Sequence, residues 1–376
     1  MGRSSTLYIS RKPATAFVVM GLCWGAFAAY VPQIKASVGV GDALFGAVLS
    51  MASLGLIAAM WVAPPLDVRL GRRGIAVASV ILGTAFLLPG LSYNPVFLGV
   101  AMLAVALASG LADILMNARV SELEARHKRS LMNFNHAMFS FAYAGGAVFS
   151  GIGRAFETPP IAIFGLLWVV ILGLSLAMQT PRSPRRKEGE ARPGLPLGII
   201  IPGGLIVLLA FMVEGATDTW SALHIERTLA GAPTEGALGP AMLGLTMGIG
   251  RYAGQVLSNR MRDSVLLSGA ALLTALGAGI AALASEPWVA YLGFGTLGLG
   301  VSVIAPTALA LTGRRIPRQD RTVAIARVSV IGFSGFFVGP PIMGLVSEFS
   351  SLRYSFAAMG VLILLVLPLL IPLRRI

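Results

Sequence analysis

The sequence predicts an all-α polytopic membrane protein of twelve transmembrane helices in two pseudo-symmetric six-helix bundles. Three observations predict it. Of 376 residues, 56% are hydrophobic and only 12% charged, about half the charged share of a soluble domain. The apolar residues come in runs of 18 to 25, the length that crosses roughly 30 Å of hydrocarbon at 1.5 Å per residue. The basic residues cluster in alternate polar breaks, which is the charge bias of a multi-pass chain.

Taken in order, the spans are expected at 14–35, 43–65, 74–94, 96–120, 132–154, 159–179, 198–222, 238–258, 264–284, 287–311, 322–346 and 353–373. The polar opening stretch, Met1 to Pro13, and the length of the first run argue for a retained helix over a cleaved signal. Cys23 is the single cysteine, so no disulfide framework is expected. With the N-terminus inside, 22 Lys and Arg fall in cytoplasmic segments, and Lys35, Arg154, Arg227 and Arg353 fall outside. That asymmetry predicts both termini in the cytoplasm of a bacterial inner membrane. It also accounts for the +13 charge without a nucleic-acid partner.

The longest polar stretch, Thr180 to Gly194, is rich in Pro, Arg and Glu and divides the spans six and six. Residues 1–179 are read as an N-terminal bundle, 180–197 as a cytoplasmic linker and 198–376 as a C-terminal bundle. An offset of 190 aligns Gly25-Ala26 with Gly215-Ala216, Tyr30 with Trp220 and Asn117 with Thr307. Such internal symmetry is typical of repeat-built secondary transporters. Small residues one turn apart, Gly146 and Ser150, Gly244 and Gly248, Gly335 and Gly339, suit close helix contacts, either static or between rocking bundles. Gly339-Pro340-Pro341 is expected to bend or break its span.

The segment Leu66-Asp67-Val68-Arg69-Leu70-Gly71-Arg72-Arg73 resembles the signature between spans 2 and 3 of the major facilitator superfamily, with Val68 inserted between the acid and the first Arg. Asp113-Ile114-Leu115-Met116-Asn117 resembles the acidic-x-x-x-Asn motif of the fucose-permease-like branch. His136-Ala137-Met138-Phe139-Ser140 and Glu214-Gly215-Ala216 with Trp220-Ser221 are similar to related uncharacterised bacterial permeases. The resemblance implies the two-bundle fold, alternating access, a cytoplasmic gate at Asp67, Arg69 and Arg72, and proton coupling at Asp113. Unlike fucose permease itself, Trp24 to Gln33 contains no acid, so a two-carboxylate scheme with an acid in the first span is not expected.

Charged groups within spans cost roughly 3 kcal/mol each near a helix centre, so Asp113, Glu214, Asp218, Arg119, Arg251 and Arg327 should face the interior, pair, or sit near an interface. Asp113 lies about 12 Å inside the fourth span and shares a face with Asn117 at i+4. Either it exchanges protons during a cycle or it is a permanently paired structural acid. His136, at similar depth, is a helix-to-helix hydrogen-bond partner or a relay with Asp113. Arg251, near the midplane, should pair with Asp113, Glu214 or an anionic or hydroxylated substrate. Glu214 and Asp218, one turn apart beside Trp220, suit a polar solute. Trp24 and Tyr30 are either stacking platforms or packing. Arg119 and Arg327 read as gate charges, with Arg327 a partner for Asp67.

An enzyme is not expected: His127, His136 and His224 are too dispersed for metal spacings, and no phosphate loop or nucleophile motif is present. No cofactor is expected. A channel or receptor fits buried titratable groups less well than alternating access. The reading is a monomeric transporter whose partners are a small solute, protons and the lipid bilayer. Proton-coupled uptake of a sugar-like solute competes with efflux of a drug or metabolite, which the apolar pore-facing residues and the acid-free first span would suit.

Overall fold

The computed structural model describes residues 6–180, 196–257, 260–316 and 320–374, and among them every regular element is helical. Helix α1 (Thr6–Val38) ends at Gly39, whose positive φ of 69° lets its amide return to the Lys35 carbonyl, a left-handed stop open to glycine. A short α2 (Asp42–Ser50) and α3 (Ala52–Leu70) are separated at Met51, and α4 (Gly74–Ala85) follows a single 3-10 turn. Asn94 caps α5 (Pro95–His127) by accepting the Phe97 amide at 2.8 Å, with Pro95 at the first helical position. Helices α6 (Met132–Ala155) and α7 (Pro160–Ser175) complete the N-terminal half.

The C-terminal half begins with α8 (Leu197–Leu223), which runs into one π turn, His224–Thr228. Then follow α9 (Pro233–Leu257), α10 (Asp263–Leu283) and α11 (Pro287–Arg314). Helices α12 (Arg321–Phe333) and α13 (Gly335–Phe349) meet at Ser334, and α14 (Leu352–Ile363) precedes α15 (Val366–Arg374). The break expected at Gly339-Pro340-Pro341 therefore lies earlier. Both prolines sit inside α13, whereas Ser334 turns its hydroxyl back to the Ile331 carbonyl at 2.6 Å, a local bond that competes with the helical ladder.

Burial sorts the helices into inner and outer positions. Residues 25–31 of α1, 108–112 of α5, 212–217 of α8 and 300–305 of α11 are buried without interruption. A helix apolar and buried on all sides must be surrounded by others. Helix α3 instead buries only Gly55, Ala59 and Ala63, a one-turn stripe that meets α5. A Cβ on Gly55 would run into the Leu103 carbonyl, so only small residues allow this approach.

The halves touch chiefly where α6 packs on α9, where α2 packs on α13, and where α1 leans on α8 and α9. Ala29, Ala147, Ala237 and Ala241 form a separate buried cluster at the α1, α6 and α9 junction. Of the three small-residue pairs, Gly146 faces Leu22 of α1, and Gly335 and Gly339 face α8, each within one half. Gly244 and Gly248 face α6 across the seam. Among the described residues, eight helical stretches are long and apolar enough to cross a membrane, by length and composition. They include none of α6, α7 and α9.

Candidate functional site between the halves

The seam is built from missing side chains. A Cβ on Gly244 would lie 2.5 Å from the Tyr143 ring, and one on Gly248 2.6 Å from the Phe141 ring. On the far side of α6, Gly21 and Gly25 of α1 abut the backbone of Phe139 and Tyr143. Helices α1, α6 and α9 thus stack without spacers, and Arg251, three residues beyond Gly248, projects onto α6.

The Arg251 guanidinium donates to the Ser140 hydroxyl and, at 3.4 Å, to the His136 carbonyl, and it ion-pairs with Glu214 of α8 at 3.3 Å. Of the partners expected for Arg251, the structure selects Glu214. The Arg251 and Glu214 side chains remain 15% and 11% accessible, so a water-sized molecule can still reach the pair. Asp218, one turn further along α8, lies beside the Tyr143 hydroxyl.

Asp113 stands apart from this cluster. Asn117 donates its amide to the Asp113 carboxylate at 2.8 Å and to its backbone carbonyl at 2.9 Å. One turn earlier, Ser109 accepts from the Trp24 indole at 3.2 Å. Ser109, Asp113 and Asn117 therefore form a polar stripe on α5 at successive turns. Among the described residues Asp113 joins no ion pair. His136 presents its ring edge to Phe17 at 4.9 Å and makes no described bond to Asp113, so the expected direct relay is not assembled.

The aromatic expectations need correction. Tyr30 is fully buried, donates its hydroxyl to the Thr158 carbonyl at 2.8 Å and packs on Phe164. Trp220 is fully buried with its edge on Phe45, 5.9 Å away. Both fill walls and leave no face for stacking. Trp24 is partly exposed, but it is held among Phe27 and Phe86.

The end nearest Thr6 also departs from expectation. Asp67 pairs with Arg119, not Arg327, and Arg119, only 2% accessible, reaches Glu122 at 3.5 Å as well. Arg327 is exposed and joins no ion pair among the described residues, while Arg69 and Arg72 are exposed. Arg314 pairs with Asp263. Each of these pairs lies within one half.

At the opposite end the halves are tied together, which the sequence reading missed. Asp42 of α2 receives both Arg227 amino groups, one at 2.7 Å, plus the Ser347 hydroxyl and Lys35 at 3.0 Å. Glu348 of α13 accepts the Asp42 and Ala43 amides at 2.6 and 3.2 Å, capping α2 where Gly41 has no side chain to do so. Arg154 of α6 grips Glu226 in a two-pronged pair, 2.8 Å on one prong, and donates to the Ala29 carbonyl at 2.9 Å. The π turn after α8 thus offers Glu226 and Arg227 in succession to α6 and α2. Three of the four basic residues that broke the charge asymmetry, Lys35, Arg154 and Arg227, are in this lock, and Arg353 bonds to the Ala282 and Ala284 carbonyls at the end of α10.

A sequence model of the Major Facilitator Superfamily matches residues 14–294 and 203–376. The chain is 27% identical over 365 residues to an uncharacterised MFS-type transporter of Yersinia pestis, covering 95% of this chain and 94% of that one. Its fold is similar to that of a bacterial homologue of the human lysosomal transporter Spinster, in an inward-facing and occupied conformation, with a TM-score of 0.76 at 14% identity, covering 100% and 98% of the two chains. It is also similar to a D-xylose–proton symporter, with a TM-score of 0.75 at 17% identity over 96% and 97%. The Escherichia coli fucose:proton symporter matches with a TM-score of 0.62 at 13% identity over 99% of each chain. The chain therefore belongs to the major facilitator superfamily of membrane transporters and is not an enzyme.

Proposed function

We propose that this protein is a proton-coupled secondary transporter that moves a small, sugar-like polar solute across the bacterial plasma membrane by alternating access. The observation that carries the reading is the placement of polar groups. Arg251, Glu214 and Ser140 meet at the seam of the two halves, and every described ion pair between the halves lies at one end. A solute bound at that seam faces a closed end and an end where the described residues make no such tie, as alternating access requires. Residues 1–179 and 198–376 act as the two six-helix bundles. The linker at 180–197 lies almost wholly outside the described residues.

Twelve crossings fit this reading. The apolar stretch Asp42–Leu91 has 50 residues, roughly 75 Å as helix, or two crossings of a 30 Å core. Helices α6 and α9 are long enough to span, with polar seam residues that dilute their hydropathy, and the shorter apolar α7, 16 residues or roughly 24 Å of helix, supplies the twelfth. With both termini cytoplasmic, cysteines at Ser183 and Ser285 in a Cys23→Ala background will label from opposite sides of the membrane. Labelling of both from one side would contradict the topology.

Asp113 is the leading coupling group, with Glu214 and His136 next, and Asn117, Asp218 and Arg251 take the solute. Uptake is favoured by the similarity to proton symporters of sugars. In reconstituted vesicles, a panel of monosaccharides and polyols should show accumulation driven by an inward proton gradient. Accumulation of drugs or metabolites only under the reversed gradient would establish efflux instead.

A further inference from the structure

Resting on the alternating-access reading, we propose that His224 is a positioning residue for the lock between the halves. Its ring bond to the end of α10 sets the π turn so that Glu226 meets Arg154 and Arg227 meets Asp42. A π turn inserts one residue into the helical ladder and redirects every side chain beyond it, by roughly 100°. In the turn His224–Thr228 that insertion decides where Glu226 and Arg227 point. His224 opens the turn, is fully buried, and brings Nε2 within 2.9 Å of the Ala281 carbonyl in the last turn of α10. A carbonyl only accepts, so Nε2 donates. Nδ1 makes no hydrogen bond among the described residues. That one bond and the edges of Phe294 and Phe356, with centroids 6.3 and 5.1 Å away, therefore fix the ring.

The anchor is itself held. Arg353 of α14 donates to the Ala282 and Ala284 carbonyls, which the end of α10 leaves without helical partners. The end of α10, the start of α14 and the π turn thus form one block of the C-terminal half. A second, independent observation shows how closely the turn must be placed. On α9, a Cβ on Gly236 would overlap the Glu226 carboxylate, and one on Gly239 would lie 2.8 Å from Ile225 Cδ1. Glu226 reaches Arg154 through a gap that only glycine leaves, so a turn that slides or rotates loses the two-pronged fit.

The test is labelling of Ala237→Cys by N-ethylmaleimide in purified, detergent-solubilised Cys23→Ala protein, which depends neither on sidedness nor on a proton gradient. Ala237 is 1% accessible in the alanine cluster of the seam. His224→Phe and His224→Leu keep the bulk but cannot donate, and each should speed labelling about fivefold or more, the scale of one lost buried hydrogen bond. His224→Gln, whose amide can reach the same carbonyl, should stay near the parent's rate. With Arg154→Gln and Arg227→Gln both present the two ties are already gone, and His224→Phe should add nothing. A residue that only fills space would not be replaced by Gln and would multiply the double variant's rate. Labelling at the parent's rate in folded His224→Phe and His224→Leu proteins would overturn the proposal. So would equal acceleration by His224→Gln, or further acceleration in the double variant. Failure of the parent to accumulate solute under a proton gradient would strike the coupling reading and leave these labelling ratios unchanged.

Discussion

Replacing Asp113 by Asn should abolish gradient-driven accumulation while leaving solute exchange intact. The carboxylate sits on a stripe with Ser109 and Asn117, bonded to a neutral amide at 2.8 Å, and no described cation holds it ionised. Contrast Glu214, which Arg251 neutralises directly. A group that must bind and release a proton in each cycle needs this freedom, and the Asn side chain mimics its protonated form in size and neutrality. One proton moving down a one-unit pH gradient supplies about 1.4 kcal/mol, enough for roughly tenfold accumulation. Vesicles bearing the Asn variant should therefore level at the external concentration, yet exchange labelled for unlabelled solute at nearly the parent's rate, because exchange moves no net proton. Accumulation at the parent's level would make Asp113 structural and pass the role to Glu214 or His136.

The sequence made the polar interior legible because hydrocarbon makes every misplaced charge conspicuous. Asp113, Glu214 and Arg251 stood out in apolar runs for that reason, and Gly244 with Gly248 announced a close helix contact. Partner choice was not legible, since it depends on which helices become neighbours. Arg251 could have met Asp113 as readily as Glu214 until α9 was seen on α6 with α8 beside it. Arg119 reached Asp67 ahead of Arg327 because α3 packs along α5. Tyr30 and Trp220 misled because an aromatic in a membrane helix has one composition whether it fills a wall or lines a cavity. The lock at the far end was hidden for the opposite reason: charges near a membrane edge can be hydrated, so Lys35, Arg154 and Arg227 raised no alarm. Their only trace was to stand on the wrong side of an otherwise one-sided charge distribution.

That lock makes the largest conformational prediction. Arg154 and Glu226 bridge the halves beside the alanine cluster of α1, α6 and α9, and Arg154 also ties down the Ala29 carbonyl. Arg154→Gln strands Glu226 in the closed seam, whereas opening that end returns the carboxylate to water. Removing one partner of a buried pair costs about 3 kcal/mol or more, and that cost falls on the closed state, shifting the balance toward opening by roughly a hundredfold. Ala237, 1% accessible and one turn from the lock, reports the shift. In a Cys23→Ala background, Ala237→Cys should react slowly with an impermeant maleimide added outside, and at least about tenfold faster once Arg154→Gln is introduced. Adding Glu226→Gln removes the stranded charge and should return the rate most of the way, which simple loss of packing would not do. If Arg154→Gln leaves labelling at the parent's rate, the ion pairs decorate a closure that helix packing alone maintains.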